Sequence, residues 1–159
     1  FYFSAGLGAA GLQLLVYHLE IQSVFSLLNS NGLSFQSFKE ILSSGSYNTA
    51  ILQHVDEESL TSAYSAYNSS LIGASGAIYG ILVAFAFSFP NSELMLLFPP
   101  IPIKAKYLVP GLILMDLFFG FSSFSLGPIA HFAHVGGAIS GFLMVWFWKR
   151  NQFNRNRWN

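Results

Sequence analysis

The sequence predicts an all-α fold: a polytopic membrane helix bundle with four transmembrane helices. Three observations predict it. Only 9% of the 159 residues are charged, against about 25% in soluble domains. Aromatic residues reach 17%, more apolar surface than a soluble domain of this length could hide. The apolar residues fall into four long runs separated by polar connections, where about 20 apolar residues suffice to cross a bilayer. The formal net charge is zero, so no basic surface points to nucleic acid as a partner. Cysteine is absent, which removes disulfides, thiolate catalysis and Cys-ligated metals together.

The spans and connections follow in order. Residues 1–19 form the first span, dotted with Gly6, Gly8 and Gly11, and uncharged until Glu20. Ala5 and Gly8 are small enough for close helix packing, which in lipid depends on shape. Residues 20–70 form a long polar loop. Within it, Phe35, Phe38 and Leu42 share one helical stripe, and residues 49–60 also carry a helical pattern, so two short helices are expected. Residues 71–89 form the second span and 107–121 the third. Between them, Pro99, Pro100 and Pro102 mark the stretch 91–106 as a connection. Residues 129–148 form the fourth span, so the membrane domain covers 1–148, and 149–159 make a basic tail.

Lys and Arg set the orientation. Lys104 and Lys106 mark one cytoplasmic turn, and Lys149, Arg150, Arg155 and Arg157 make the C-terminus cytoplasmic. The long loop has Lys39 against five acidic residues and belongs outside. The uncharged 122–128 loop also belongs outside. The chain is therefore read as a multi-pass protein of a lipid bilayer, with the bacterial cytoplasmic membrane as the expected location.

Ser75 and His134 are the candidate catalytic residues. Both the second and fourth spans start outside. At about 1.5 Å per residue, Ser75 and His134 lie at a matching depth, roughly 6–8 Å below the outer edge of the hydrocarbon. Gly76 and Gly80 form a G-x-x-x-G step on the serine helix, and Gly137 and Gly141 form another on the histidine helix; such steps let two backbones approach closely. His134, Gly137 and Gly141 share a stripe, and so do Ser75 and Tyr79. A serine becomes a nucleophile when a base takes its proton, and a neutral imidazole is the usual base. The first turn of a helix leaves N–H groups free near Gly76, which can hold an oxyanion. Taken alone, a serine in a membrane helix more often bonds its own preceding turn; matched depth, matched faces and paired glycines favour the catalytic reading. His131 is read as lining a cavity or structural. Asp116 could orient His134, but a place against another helix or the cavity is the favoured reading.

Gly73-Ala74-Ser75-Gly76 with Tyr79, and Ala130-His131-Phe132-Ala133-His134-Val135-Gly136-Gly137 with Gly141, resemble the two signature segments of rhomboid intramembrane serine proteases. Residues 98–106 resemble the cytoplasmic turn of bacterial members. The resemblance implies a rhomboid-like six-helix core, with Ser75 as nucleophile, His134 as general base and no essential acid. Tyr79 would stack on the His134 ring; Gly73, Gly76 and His131 would support the site. The substrate would be a single-span membrane protein, 107–121 a lateral gate and 122–128 a cap, with no metal or cofactor. The family's His-x-x-x-Asn segment is not found: Gln22 stands four residues after His18, and Glu58 four after His54. The expectation is that the sequence begins at the third helix of six. The alternatives are a non-catalytic rhomboid-like protein that binds membrane helices, and a channel lined by His131, His134 and Asp116. The channel would need a polar path through the inner half, and the spans offer almost none. Oligomeric state is not legible.

Overall fold

The computed structural model describes residues 1–69, 74–95, 100–121 and 130–152. The described residues are mainly helical, and the chain divides into two compact units: residues 1–13 with 72–159, and residues 14–71. Helix α1 (Tyr2–Ser30) contributes its first turns to one unit and the remainder to the other.

The 14–71 unit packs the second part of α1 with α2 (Phe35–Ser44), a 3-10 turn (Thr49–Gln53) and α3 (Glu57–Asn68). α1 runs past the expected end at residue 19 because Val24 and Leu28, four apart, keep one stripe facing the core. It stops at Gly32, whose φ of 89° suits glycine. There Leu33 N–H donates to Leu28 O and Gly32 N–H to Asn29 O, which closes the last turn. Ser34 Oγ then caps α2 by accepting from Ser37 N–H at 3.2 Å. Phe38 and Leu42 bury against Val24, Leu28, Val55, Leu60 and Ala63. Asp56 caps α3, with Oδ2 accepting from Ser59 N–H at 2.8 Å. That bond, with a second from the Ser59 hydroxyl, holds the Asp56 carboxyl below its ordinary pKa. Asn68 Nδ2 donates to Leu42 O at 2.8 Å and ties the end of α3 to the end of α2.

The other unit contains the first turns of α1, then α4 (Ala74–Ser88), α5 (Ala105–Phe121) and α6 (His131–Gln152). α4 and α6 meet through missing side chains. A Cβ on Gly137 would collide with Gly76 O, and one on Gly141 with Gly80 O. α1 closes the same contact: a Cβ on Gly80 would lie 2.5 Å from Ala5 Cβ, and one on Gly76 2.5 Å from Ala9 Cβ. Gly8 meets Ser140 of α6 in the same way. At the far end of α4, Lys149 Nζ donates to Phe87 O at 2.9 Å and satisfies a terminal carbonyl.

The connection expected at 91–106 carries a two-stranded antiparallel hairpin, β1 (Glu93–Met95) and β2 (Pro102–Lys104), in the register Glu93 with Lys104. Pro102 lacks an N–H but sits on an edge strand, where that costs little. Ala105 N–H donates to Ser92 O at 2.9 Å, so the hairpin fixes where α5 begins.

The expected four spans differ from these helices in length and composition. Among the described residues, no helix is long and apolar enough to cross a membrane. α4 has 15 residues and α5 has 17, short of the roughly 20 that a bilayer requires. α1 and α6 have 29 and 22, but Gln13 and His18 interrupt the first and His131, His134 and Ser140 the second.

Candidate active site

Ser75 is the second residue of α4, and His134 the fourth of α6. The glycine contact sets these two helix starts side by side. His134 Nε2 lies 3.1 Å from Ser75 Oγ, within hydrogen-bond reach. Ser75 is exposed and His134 partly buried, so the hydroxyl is accessible while the base is held. The Tyr79 ring stacks on the His134 ring, with centroids 4.3 Å apart and planes 5° from parallel. This fixes the plane in which Nε2 points.

The other ring nitrogen has a partner that the sequence reading did not favour. Asp116 is buried in α5 at 7% exposure, and its Oδ1 lies 3.0 Å from His134 Nδ1. His131 Nδ1 approaches the same oxygen at 2.7 Å. His131 is 9% exposed, and Phe119 stacks beside it at 5.9 Å, which agrees with the structural reading of this residue. Its Nε2 is buried and, among the described residues, has no partner.

Asp116, His131 and His134 are also side chains whose ligating atoms converge, all within 4.8 Å of one another. Both Nδ1 atoms lie within hydrogen-bond distance of that one Oδ1. The geometry is that of a hydrogen-bonded cluster.

One placement was not anticipated. Gln13 of α1 is buried at 3% exposure, and its Oε1 accepts from Ala133 N–H at 2.9 Å. The same N–H also reaches Ala130 O at 3.0 Å, so the Gln13 amide shares that donor and ties α1 to the start of the helix that carries His134. The available signal was a lone amide in an apolar, glycine-dotted stretch, where an unpaired polar group is costly. Gly76, Gly80, Gly137 and Gly141 all lie at the helix contact. Gly73 and the 122–128 connection, expected as supporting residue and cap, lie outside the described residues.

The family model for the rhomboid domain matches residues 46–151, about two thirds of the chain. The protein belongs to the rhomboid family. No curated protein and no solved structure matches it. The match to the rhomboid model spans α3 through α6 and therefore includes Ser75, Tyr79, Asp116, His131 and His134. Rhomboids are membrane-integral proteins and typically serine proteases, and the described residues of this rhomboid are mainly helical.

Proposed function

We propose that this rhomboid is an intramembrane serine endopeptidase with Ser75 as nucleophile and His134 as general base. The observation that carries the reading is the 3.1 Å separation of Ser75 Oγ and His134 Nε2. In that geometry the Oγ proton moves to Nε2 as Oγ attacks the scissile carbonyl. N–H groups in the first turn of α4 have no intrahelical acceptor and can stabilise the oxyanion. The imidazolium then protonates the leaving amine. Water, activated by the same nitrogen, releases the acyl group and restores Ser75. Tyr79 holds the imidazole plane throughout.

The membrane reading rests on composition and on the apolar side chains that the helices expose. Phe3 is 84% exposed, Leu7 75%, Phe118 68% and Phe121 81%. In water such side chains carry a cost; against acyl chains they do not. The substrate is a single-span membrane protein whose helix unwinds near the outer leaflet. α5 is the lateral gate, and the C-terminus is cytoplasmic.

Activity-based labelling with a fluorophosphonate in detergent or liposomes tests the reading. The parent is expected to label, and Ser75→Ala and His134→Ala to lose labelling to background. Equal labelling of all three discards the dyad. An unlabelled but folded parent favours a non-catalytic rhomboid that binds membrane helices.

A further inference from the structure

We propose that Asp116 is a positioning residue for His134, and that His131 locks the carboxylate in place. The inference deepens the serine-protease reading and rests on it. An ionised carboxylate can only accept hydrogen bonds. His134 Nδ1 lies 3.0 Å from Asp116 Oδ1, so Nδ1 must carry the proton. A neutral imidazole protonated at Nδ1 has its one lone pair at Nε2. That is the nitrogen facing Ser75 Oγ at 3.1 Å. Asp116 thus selects the tautomer able to take the serine proton. The other tautomer would set an N–H against the hydroxyl and could not act as base.

The carboxylate is itself held. It is 7% exposed, and His131 Nδ1–H donates to the same Oδ1 at 2.7 Å. His131 is in turn fixed by its own burial and by Phe119. Two N–H donors on one oxygen leave Asp116 no free rotamer to abandon His134. When Oγ bonds the acyl carbon, its proton goes to Nε2 and the imidazolium carries the positive charge. Asp116 stays ionised and faces that charge in a site where it is poorly screened. Asp116 and His131 act through His134.

Two measurements test the proposal. The first needs no variant: ¹⁵N NMR of the histidine-labelled parent reports the His134 tautomer near neutral pH. Protonation at Nδ1 is expected, and protonation at Nε2 overturns the proposal. The second is the rate constant of fluorophosphonate labelling for parent and Asp116→Asn across pH 5–9. In that reaction Oγ bonds phosphorus, fluoride leaves and the Oγ proton goes to His134. Loss of the carboxylate is expected to slow labelling by on the order of 10²–10⁴ and to move the base-limited limb of the profile to lower pH. A merely structural aspartate would lower the amount of folded protein without moving that limb. Asp116→Asn that is folded, labels at the parent rate and keeps the parent profile overturns the positioning role and leaves the dyad standing. Parent labelling that survives Ser75→Ala overturns the dyad reading itself.

Discussion

The two units of this rhomboid hold their helices by opposite means. In residues 14–71, large side chains fill the space between helices, with Phe38 and Leu28 fully buried. Ser34, Asp56 and Gly32 close the helix ends. In the unit that carries Ser75 and His134, the closest contacts are made by residues with little or no side chain: Ala5, Gly8, Ala9, Gly76, Gly80, Gly137 and Gly141. A core of side chains tolerates repacking at a modest cost. A backbone contact does not, because neither partner has a rotamer to change. Where a hydroxyl and an imidazole must stay about 3 Å apart, the second construction is the more exacting.

The largest expected effect strikes that contact. Gly137→Val sets a branched side chain against the Gly76 carbonyl, so α4 and α6 must separate. Labelling of Ser75 is expected to fall to background. Gly111→Ala is the matched control on α5, where a Cβ meets nothing within 4 Å; the parent labelling rate is expected there. If Gly137→Val labelled normally, the idea that the helix gap sets the reactive distance would be lost.

A smaller effect is expected from the side-chain core. Phe38→Ala leaves a cavity among Val24, Leu28 and Leu42 and is expected to cost about 3–5 kcal/mol. Thermal unfolding followed by circular dichroism reads this. Labelling at 25 °C is expected to change by less than about twofold, since Phe38 belongs to the core of one compact unit and Ser75 to the other, and sites without shared partners behave additively. A collapse of labelling in folded Phe38→Ala would erase the distinction between the units.

The smallest effect is a pH dependence in the capped unit. The Asp56 carboxyl is lowered because Ser59 N–H and the Ser59 hydroxyl hold its ionised form. A lowered folded value means that its contribution is fully present above the unfolded value, about 3.9. It fades as pH falls through the folded value. The difference in unfolding midpoint between the parent and Asp56→Ala is expected to be constant from pH 7 to about 5 and to shrink toward pH 2. A difference that stays constant across that range would assign the cap to geometry alone.

Much of this was legible before any coordinates. Ser75 and His134 emerge from depth, face and paired glycines, all of which follow from helical spacing within one element. What was missed depends on relations between elements. Asp116 could be placed on the third span, but which residues it faces depends on how α5 packs against α6, a relation between elements that spacing within one span does not carry. Gln13 is not legible as a site residue because a lone amide has no period; its meaning comes from Ala133, 120 positions away. Glu20 reads as the end of an apolar run, yet α1 continues because Val24 and Leu28 carry the stripe onward. Three-residue strands are too short to show alternation, and the prolines around them read as a turn.

The order of the glycine contacts has an electrostatic consequence. Gly76 meets Gly137 and Gly80 meets Gly141, so α4 and α6 point the same way, and their macrodipoles, about half a charge at each end, repel. α1 meets α4 with its numbering reversed, Ala9 at Gly76 and Ala5 at Gly80, so its dipole opposes theirs. The ammonium of Lys149 stands at the negative end of α4. A helix that contributes neither nucleophile nor base thus offsets, by its polarity, part of the repulsion between the two that do.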